Sequence, residues 1–357
     1  MSVTKVSSAM QDLTDDYAFS GTVSGAGAPS HRNDIINGGL VVNRENVTAP
    51  ADAAFTIGEL FLHNGEGTPL MSLETDGPQG TRPWQKMVLD ANDQGGLAYI
   101  VPNDTVQDYI ANGKMSFGIQ LKTTSATIAN ARIGILKWTG TADAVTKELV
   151  GTWASDGTSP TLATSLSYEN TPANLGLTTS WARHVVEDVT VDSDTKNIIL
   201  FVWTDDGTIT ASDVIGFSEW QLNPGSTVNA FSQPDTNTVL NQISYYFQYE
   251  VYASNGSSSV VIPGAGVANA GTTSTAISYS FKRMRAAPVV TSSAANTFDH
   301  TDGHVTGQLS NIAFHFPSHD SVRASGTTTS MTAHTGLYVL SHANETAFLS
   351  KDARIGV

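Results

Sequence analysis

The chain has 357 residues and sets 18 Lys and Arg against 33 Asp and Glu, for a net charge of −15, which excludes a broad electrostatic grip on nucleic acid or an anionic membrane. It has no cysteine, which excludes disulfides, thiolate nucleophiles and Cys-containing zinc sites. Only 14% of positions are charged, so Ser, Thr, Asn and Gly carry much of the solvation and bias the chain toward β structure and loops, while 40% hydrophobic residues and six Trp supply packed cores.

The first twenty residues lack the apolar run of a secretory signal, and no stretch approaches the roughly 18 apolar residues of a membrane span. Synthesis and folding in a cytosol are therefore expected, and the sequons at Asn46, Asn103, Asn255 and Asn344 carry no weight. A short helix is expected over Ser7 to Asp15, and the small residues from Gly25 to Pro29 separate a polar N-terminus from the first strand. The Asp90–Gly95 segment looks like half a calcium loop, but its twelfth position is Val101, which removes the bidentate Glu and favours a turn. A second helix is expected from Thr105, with Asp108 as its capping-box partner, Gly113 as its stop, and Val106, Tyr109 and Ile110 on one face.

Beyond it the period is two. Met115, Phe117, Ile119 and Leu121 alternate with polar or small residues, as a strand with one buried face requires. Ile198–Trp203 is apolar on both faces and predicts a central strand covered on each side. The Pro- and Asn-containing stretch from Asn223 to Asn241 reads as a boundary. After it, Ile243, Tyr245, Phe247, Tyr249 and Val251 predict one strand, and Ile277, Tyr279 and Phe281 another. Ile312, Phe314 and Phe316 should share a buried face. Many strands with Gly, Asn and Asp turns predict an all-β chain of antiparallel sandwiches.

Five segments in order resemble bacteriophage tail-fibre and related virion proteins with a carbohydrate-binding-module-like jelly roll and a second β domain. They are Phe19–Gly25, Asn33–Gly39, Gly113–Phe117, Gly216–Gly225 with Phe231 and the Tyr245-Tyr246 pair, and Met284–Pro288 with Ala347–Ile355. The resemblance implies a virion-attachment and oligomerisation segment over 1–32, a jelly-roll β-sandwich over 33–232 and a smaller β-sandwich over 233–357. It also implies a homotrimer docked to other virion proteins through its N-terminus, with Phe19, Gly21, Val23 and Gly25 at strand spacing in that arm. The protein would lie in the virion and contact host cell-surface glycan.

Sugars stack on flat aromatic faces with help from Asn, Asp and Gln, so the tryptophans are the first candidates for a site. Trp203 and Trp220 sit in apolar strands and read as core, and Trp181 as structural. Trp84, in the loop context Gly-Thr-Arg-Pro-Trp, is the best stacking candidate, and Trp153 is next. His300 with His304, and His315 with His319, have four-residue spacing, but on a strand that sets the side chains about 13 Å apart, so solvent-face or interface histidines are expected rather than a metal site. No cofactor is expected, although a structural calcium held by other loops stays open. No G-x-S-x-G, H-E-x-x-H or phosphate-cradling loop occurs, and the paired acids Asp15-Asp16 and Asp205-Asp206 lie in turns. The expectation is therefore a non-enzymatic, adhesive virion protein that binds carbohydrate weakly and multivalently. Two alternatives are an architectural head fibre or decoration protein without a sugar site, and a polysaccharide depolymerase.

Overall fold

The computed structural model describes residues 33–90, 93–124, 127–154, 156–205, 209–253, 261–268, 274–294, 298–301, 306–309, 311–327, 336–341 and 346–356. The expected helix over Ser7 to Asp15 and the arm residues Phe19, Gly21, Val23 and Gly25 lie outside the described residues, as does His304.

The first part is a jelly-roll sandwich of antiparallel strands. In chain order these are β1 (Ala54–Phe55), β2 (Phe61–Gly65), β3 (Leu70–Glu74), β4 (Trp84–Val88), β5 (Gly95–Val101), helix α1 (Asn103–Asn112), β6 (Lys114–Thr123), β7 (Asn130–Trp138), β8 (Val150–Thr152), β9 (Thr161–Leu162), β10 (Leu166–Tyr168), β11 (Leu175–Gly176), β12 (Ala182–Thr190), β13 (Asn197–Thr204) and β14 (Val214–Pro224). One sheet runs β1-β2-β5-β13-β7-β10, with β11 also on β7; the facing sheet runs β12-β6-β14-β4-β3.

The sequence pattern accounts for this layering. Met115, Phe117, Ile119 and Leu121 of β6 all point into the inter-sheet core, where Phe117 and Trp220 of β14 meet at 5.7 Å. Strand β13 is buried along its whole length between β5 and β7, as its unbroken apolar run requires. Its Ile198, Leu200 and Val202 enter the inter-sheet core, while Ile199, Phe201 and Trp203 face the opposite side. There Val145, Leu149, Val150 and Ile355 cover them.

Helix α1 begins two residues before the expected start, behind Pro102 in extended conformation (φ −61°, ψ 150°). A proline ahead of the first turn presets φ and gives up no needed N–H, so it replaces the predicted Thr105–Asp108 box. The end is as expected: Gly113 is left-handed at φ 77° and donates to the Tyr109 carbonyl at 2.8 Å.

The strand expected over Ile243–Val251 is corrected by the structure. Thr236–Ile243 forms helix α2, and β15 (Phe247–Ala253) starts only after a turn through Tyr245 and Tyr246. Asp235 caps the helix by accepting from the Asn237 and Thr238 N–H groups, and Val239 and Ile243, one turn apart, are fully buried in the first sandwich's core. Helical spacing before residue 243 outweighs the alternation that follows it. Phe247 joins the same core, so the chain packs against the first sandwich well past the Asn223–Asn241 stretch.

The second part is a smaller β-sandwich. It adds β16 (Val261–Ala268), β17 (Ser274–Ser280), β18 (Val289–Ser292), β19 (Phe298–Thr301), β20 (Thr306–Gln308), β21 (Asn311–His315), β22 (Ser321–Thr327), β23 (Gly336–Ser341) and β24 (Thr346–Asp352). Strands β15-β24-β18 form one sheet and β20-β19-β23-β16-β17-β22-β21 the other, around Tyr279, Phe298, Val322, Val339 and Leu349. Arg354 fastens this end to the first sandwich: it is 5% exposed, lies 2.5 Å from Asp352 and 3.1 Å from Glu45, donates to the Glu59 carbonyl at 2.8 Å, and stacks over Phe55 and Phe247.

Candidate functional site

A sandwich closes its two faces but leaves its edges open, and a groove lies at one such edge. Here β12, the edge strand of the five-stranded sheet, faces the connection from β10 to β11 on the other sheet. The groove between them has a volume of about 480 Å³. Ile133, Leu175 and Val186 line it on the apolar side, and Glu169, Asn170, Thr171, Glu187, Asp188 and Thr190 also border it, the carboxylates of Glu187 and Asp188 being engaged on the outer face of the sheet by Val228 and Lys114.

Local structure places each wall group. The register of β12 against β6 breaks between Val186 and Val189, and Asp188 takes a left-handed φ of 56°. This bulge puts Glu187 and Asp188 side by side where simple alternation would send them to opposite faces. Lys114 sits 3.3 Å from Asp188 Oδ2 and donates to the Asp188 carbonyl and the Thr190 hydroxyl. Glu187 accepts from the Val228 N–H at 2.7 Å. On the opposite wall, Asn170 donates to the Ile133 carbonyl at 2.9 Å and accepts from the Ile135 N–H at 2.8 Å, so its amide substitutes for a missing strand along β7. Next to it, burial and then the Asp192 carboxylate push the Glu169 carboxyl above its ordinary range, against the Asp192 N–H and Thr195 hydroxyl that it accepts. The lining suits a neutral polyhydroxylated ligand: its polar side chains exchange hydrogen bonds with hydroxyls, while Ile133, Leu175 and Val186 take a ring's C–H face.

The tryptophan candidates lie elsewhere. Trp84 is not in a loop but opens β4, 4% exposed, with its N–H on Asp76 at 2.8 Å. Trp181 meets it edge-on at 5.4 Å and the Lys122 ammonium covers its ring at 4.0 Å, which leaves no open face for a sugar. The Pro-Trp step reads as a turn by itself, but pairing of β4 with β14, and the space left by Gly216 beneath both indoles, draw it into the sheet. Trp153 is half-buried and packs against Phe201 at 6.2 Å on the outer side of the other sheet. Trp203 and Trp220 are core, as expected.

The histidines are likewise apart. His315 Nε2 is 2.8 Å from the Ser325 hydroxyl, whereas His319 Nδ1 meets the Met284 carbonyl at 3.2 Å. His300 lies on β19 opposite Val339. Of the Asp90–Gly95 segment, Ala91 and Asn92 lie outside the described residues. Sequence reasoning missed the groove acids, although the Val185-Val186-Glu187-Asp188-Val189 run, two apolar then two acidic, carries the signal of a bulge.

No protein-family model and no curated protein matches the chain. Among solved structures, similarity is found to TmCBM61 in complex with β-1,4-galactotriose, at 11% identity and a TM-score of 0.32 over 54% of this chain and 99% of that one. A family 11 carbohydrate-binding module from Clostridium thermocellum, in complex with a mixed-linked tetrasaccharide, matches at 10% identity and a TM-score of 0.28 over 50% of this chain and 96% of that one. The tandem CBM22 domains of Paenibacillus barcinonensis Xyn10C match at 8% identity and a TM-score of 0.29 over 82% and 93%. At such scores the functional argument rests on this chain's own residues.

Proposed function

We propose that the protein is a non-catalytic glycan-binding component of a virus particle, a bacteriophage tail fibre or similar appendage, and that it holds host saccharide in the groove between β12 and the β10–β11 connection. The observation that carries this reading is the groove itself: about 480 Å³, room for one or two sugar rings, lined by Glu169, Asn170, Thr171 and Thr190 together with apolar Ile133, Leu175 and Val186. Each groove of this size binds weakly, and several copies on one particle convert weak sites into firm attachment through effective concentration. The virion assignment is supported by the ordered run of fibre-like segments from Phe19 to Ile355, and the homotrimer by the likeness of its first 32 residues to attachment arms.

Retention of the full chain on a panel of host cell-surface polysaccharides tests the reading. Wild-type protein should be retained by at least one of them, and Thr171→Trp, which fills the groove from an exposed loop position, should abolish retention while the thermal midpoint stays unchanged. Retention by none, or unchanged retention of Thr171→Trp, overturns it, and tight binding to virions without any glycan would mark the architectural role instead. Mass in solution with and without residues 1–32 tests the trimer.

A further inference from the structure

Strands β21 and β22 are joined by a short turn, Phe316 to Asp320, and its first residue breaks two rules at once. Phe316 was expected to share a buried face with Ile312 and Phe314; those two pack on the second core, but Phe316 is 81% exposed. Its φ of 52° is left-handed, a conformation that a bulky side chain adopts at a cost. Folding gains neither apolar burial nor a relaxed backbone from this phenylalanine.

The turn is nevertheless braced. Ser318 donates from its N–H to the Ser321 carbonyl at 2.8 Å, and the backbone of Met284 donates to His319 at 2.7 Å. Beside the tip, the His315 ring lies 6.2 Å from that of Phe316. His315 stands directly opposite Arg323 in the ladder, so the two side chains share a face, and both are exposed. Among the described residues no carboxylate pairs with the Arg323 guanidinium, in a chain where acids outnumber bases 33 to 18. An exposed aromatic ring on a braced turn, one residue from the position that faces an open guanidinium fork, matches one ligand chemistry. The ring takes the C–H face of a pyranose, and the fork takes a carboxylate through two parallel hydrogen bonds. A protein partner needs a far larger patch than one turn offers, and the acidic chain opposes an anionic membrane.

We propose that Phe316, His315 and Arg323 form a second saccharide subsite, separate from the groove, that takes a sugar ring bearing a carboxylate. The test uses the full chain carrying Thr171→Trp, so that the groove does not contribute, titrated with trigalacturonate, a hyaluronan tetrasaccharide and 3′-sialyllactose, and with neutral galactotriose as control. At least one acidic saccharide should bind, with neutral galactotriose at least tenfold weaker, and Phe316→Ala and Arg323→Gln should each weaken the acidic ligand roughly tenfold. Phe316→Gly should lose the same binding while raising the thermal midpoint, because glycine relaxes the left-handed turn. Binding of none of the acidic saccharides, equal binding of the neutral one, or full binding by Phe316→Ala overturns the proposal and leaves the groove reading as it was.

Discussion

The Lys351 ammonium, fully buried in the second sandwich, lies 2.5 Å from Glu250 Oε1, and the same carboxylate accepts the Tyr252 hydroxyl at 2.6 Å and the Tyr279 hydroxyl. Glu250 and Lys351 belong to β15 and β24 of one sheet and Tyr279 to β17 of the other, so the network ties the two layers together. Glu250→Gln removes the counter-charge and leaves the ammonium in the core, where an uncompensated charge costs about 3 kcal/mol or more. Lys351→Met should cost less, because the Glu250 side chain is 34% exposed and keeps its tyrosine donors. Urea unfolding of the two variants checks the order.

The same network sets an acid limit. Burial works to raise the Glu250 carboxyl, but the hydrogen bonds from Lys351, Tyr252 and Tyr279 outweigh it and hold the group below the ordinary carboxylate range. A carboxyl depressed by folding stabilises the protein above its unfolded value, and that contribution is lost as pH falls through the folded one. Thermal midpoints measured from neutral pH downward should therefore fall less steeply in Glu250→Gln than in wild type.

Glu169 in the groove runs the other way. Its carboxyl is raised, first by burial and then by Asp192, so folding opposes its ionisation. The folded state then holds the proton more tightly, and stability declines as pH rises through the ordinary carboxylate range toward the raised value. Glu169→Gln keeps an acceptor for the Asp192 N–H and the Thr195 hydroxyl. It should raise the thermal midpoint at neutral pH by about a degree, with no gain in strong acid, where both states carry the proton. Any glycan that depends on this carboxylate should bind less well to the same variant.

The strands that pack one way were legible from residue order, because burial on one face or both writes itself directly as alternation in β6 and as an unbroken apolar run in β13. The groove was not, since its walls come from residues 169–173 and 185–190, which meet only when two sheet edges close on each other. Trp84 misled for a related reason: the turn residues before it are local, whereas the pairing with β14 that buries it is not. Phe316 continued a correct period one step too far, past the point where β21 ends.

Gly216 on β14 sits beneath the paired indoles: a Cβ there would come within 2.9 Å of the Trp84 ring and 3.1 Å of Trp181. Gly216→Ala must push the pair and the Lys122 ammonium outward, an overpacking cost of about 1–3 kcal/mol. Tryptophan emission should shift to longer wavelength as the rings gain water. Gly176→Ala, where nothing lies within 4 Å, should leave both emission and stability unchanged.

Trp220 stands at the centre of the first core, 5.0 Å from Phe61 and 5.7 Å from Phe117, yet its buried indole N–H has no hydrogen-bond partner among the described residues. Two terms therefore oppose each other at this side chain. The ring buries a large apolar area, whose loss in Trp220→Ala should cost about 3–5 kcal/mol. The N–H gives up its water without compensation, a penalty of about 1–3 kcal/mol that Trp220→Phe removes while keeping most ring contacts. Phenylalanine should thus recover well over half of the stability that alanine loses, read as the separation of denaturant midpoints at equal slope. If the two variants unfold together, ring burial is not what this tryptophan contributes, and its indole N–H is hydrogen-bonded in solution.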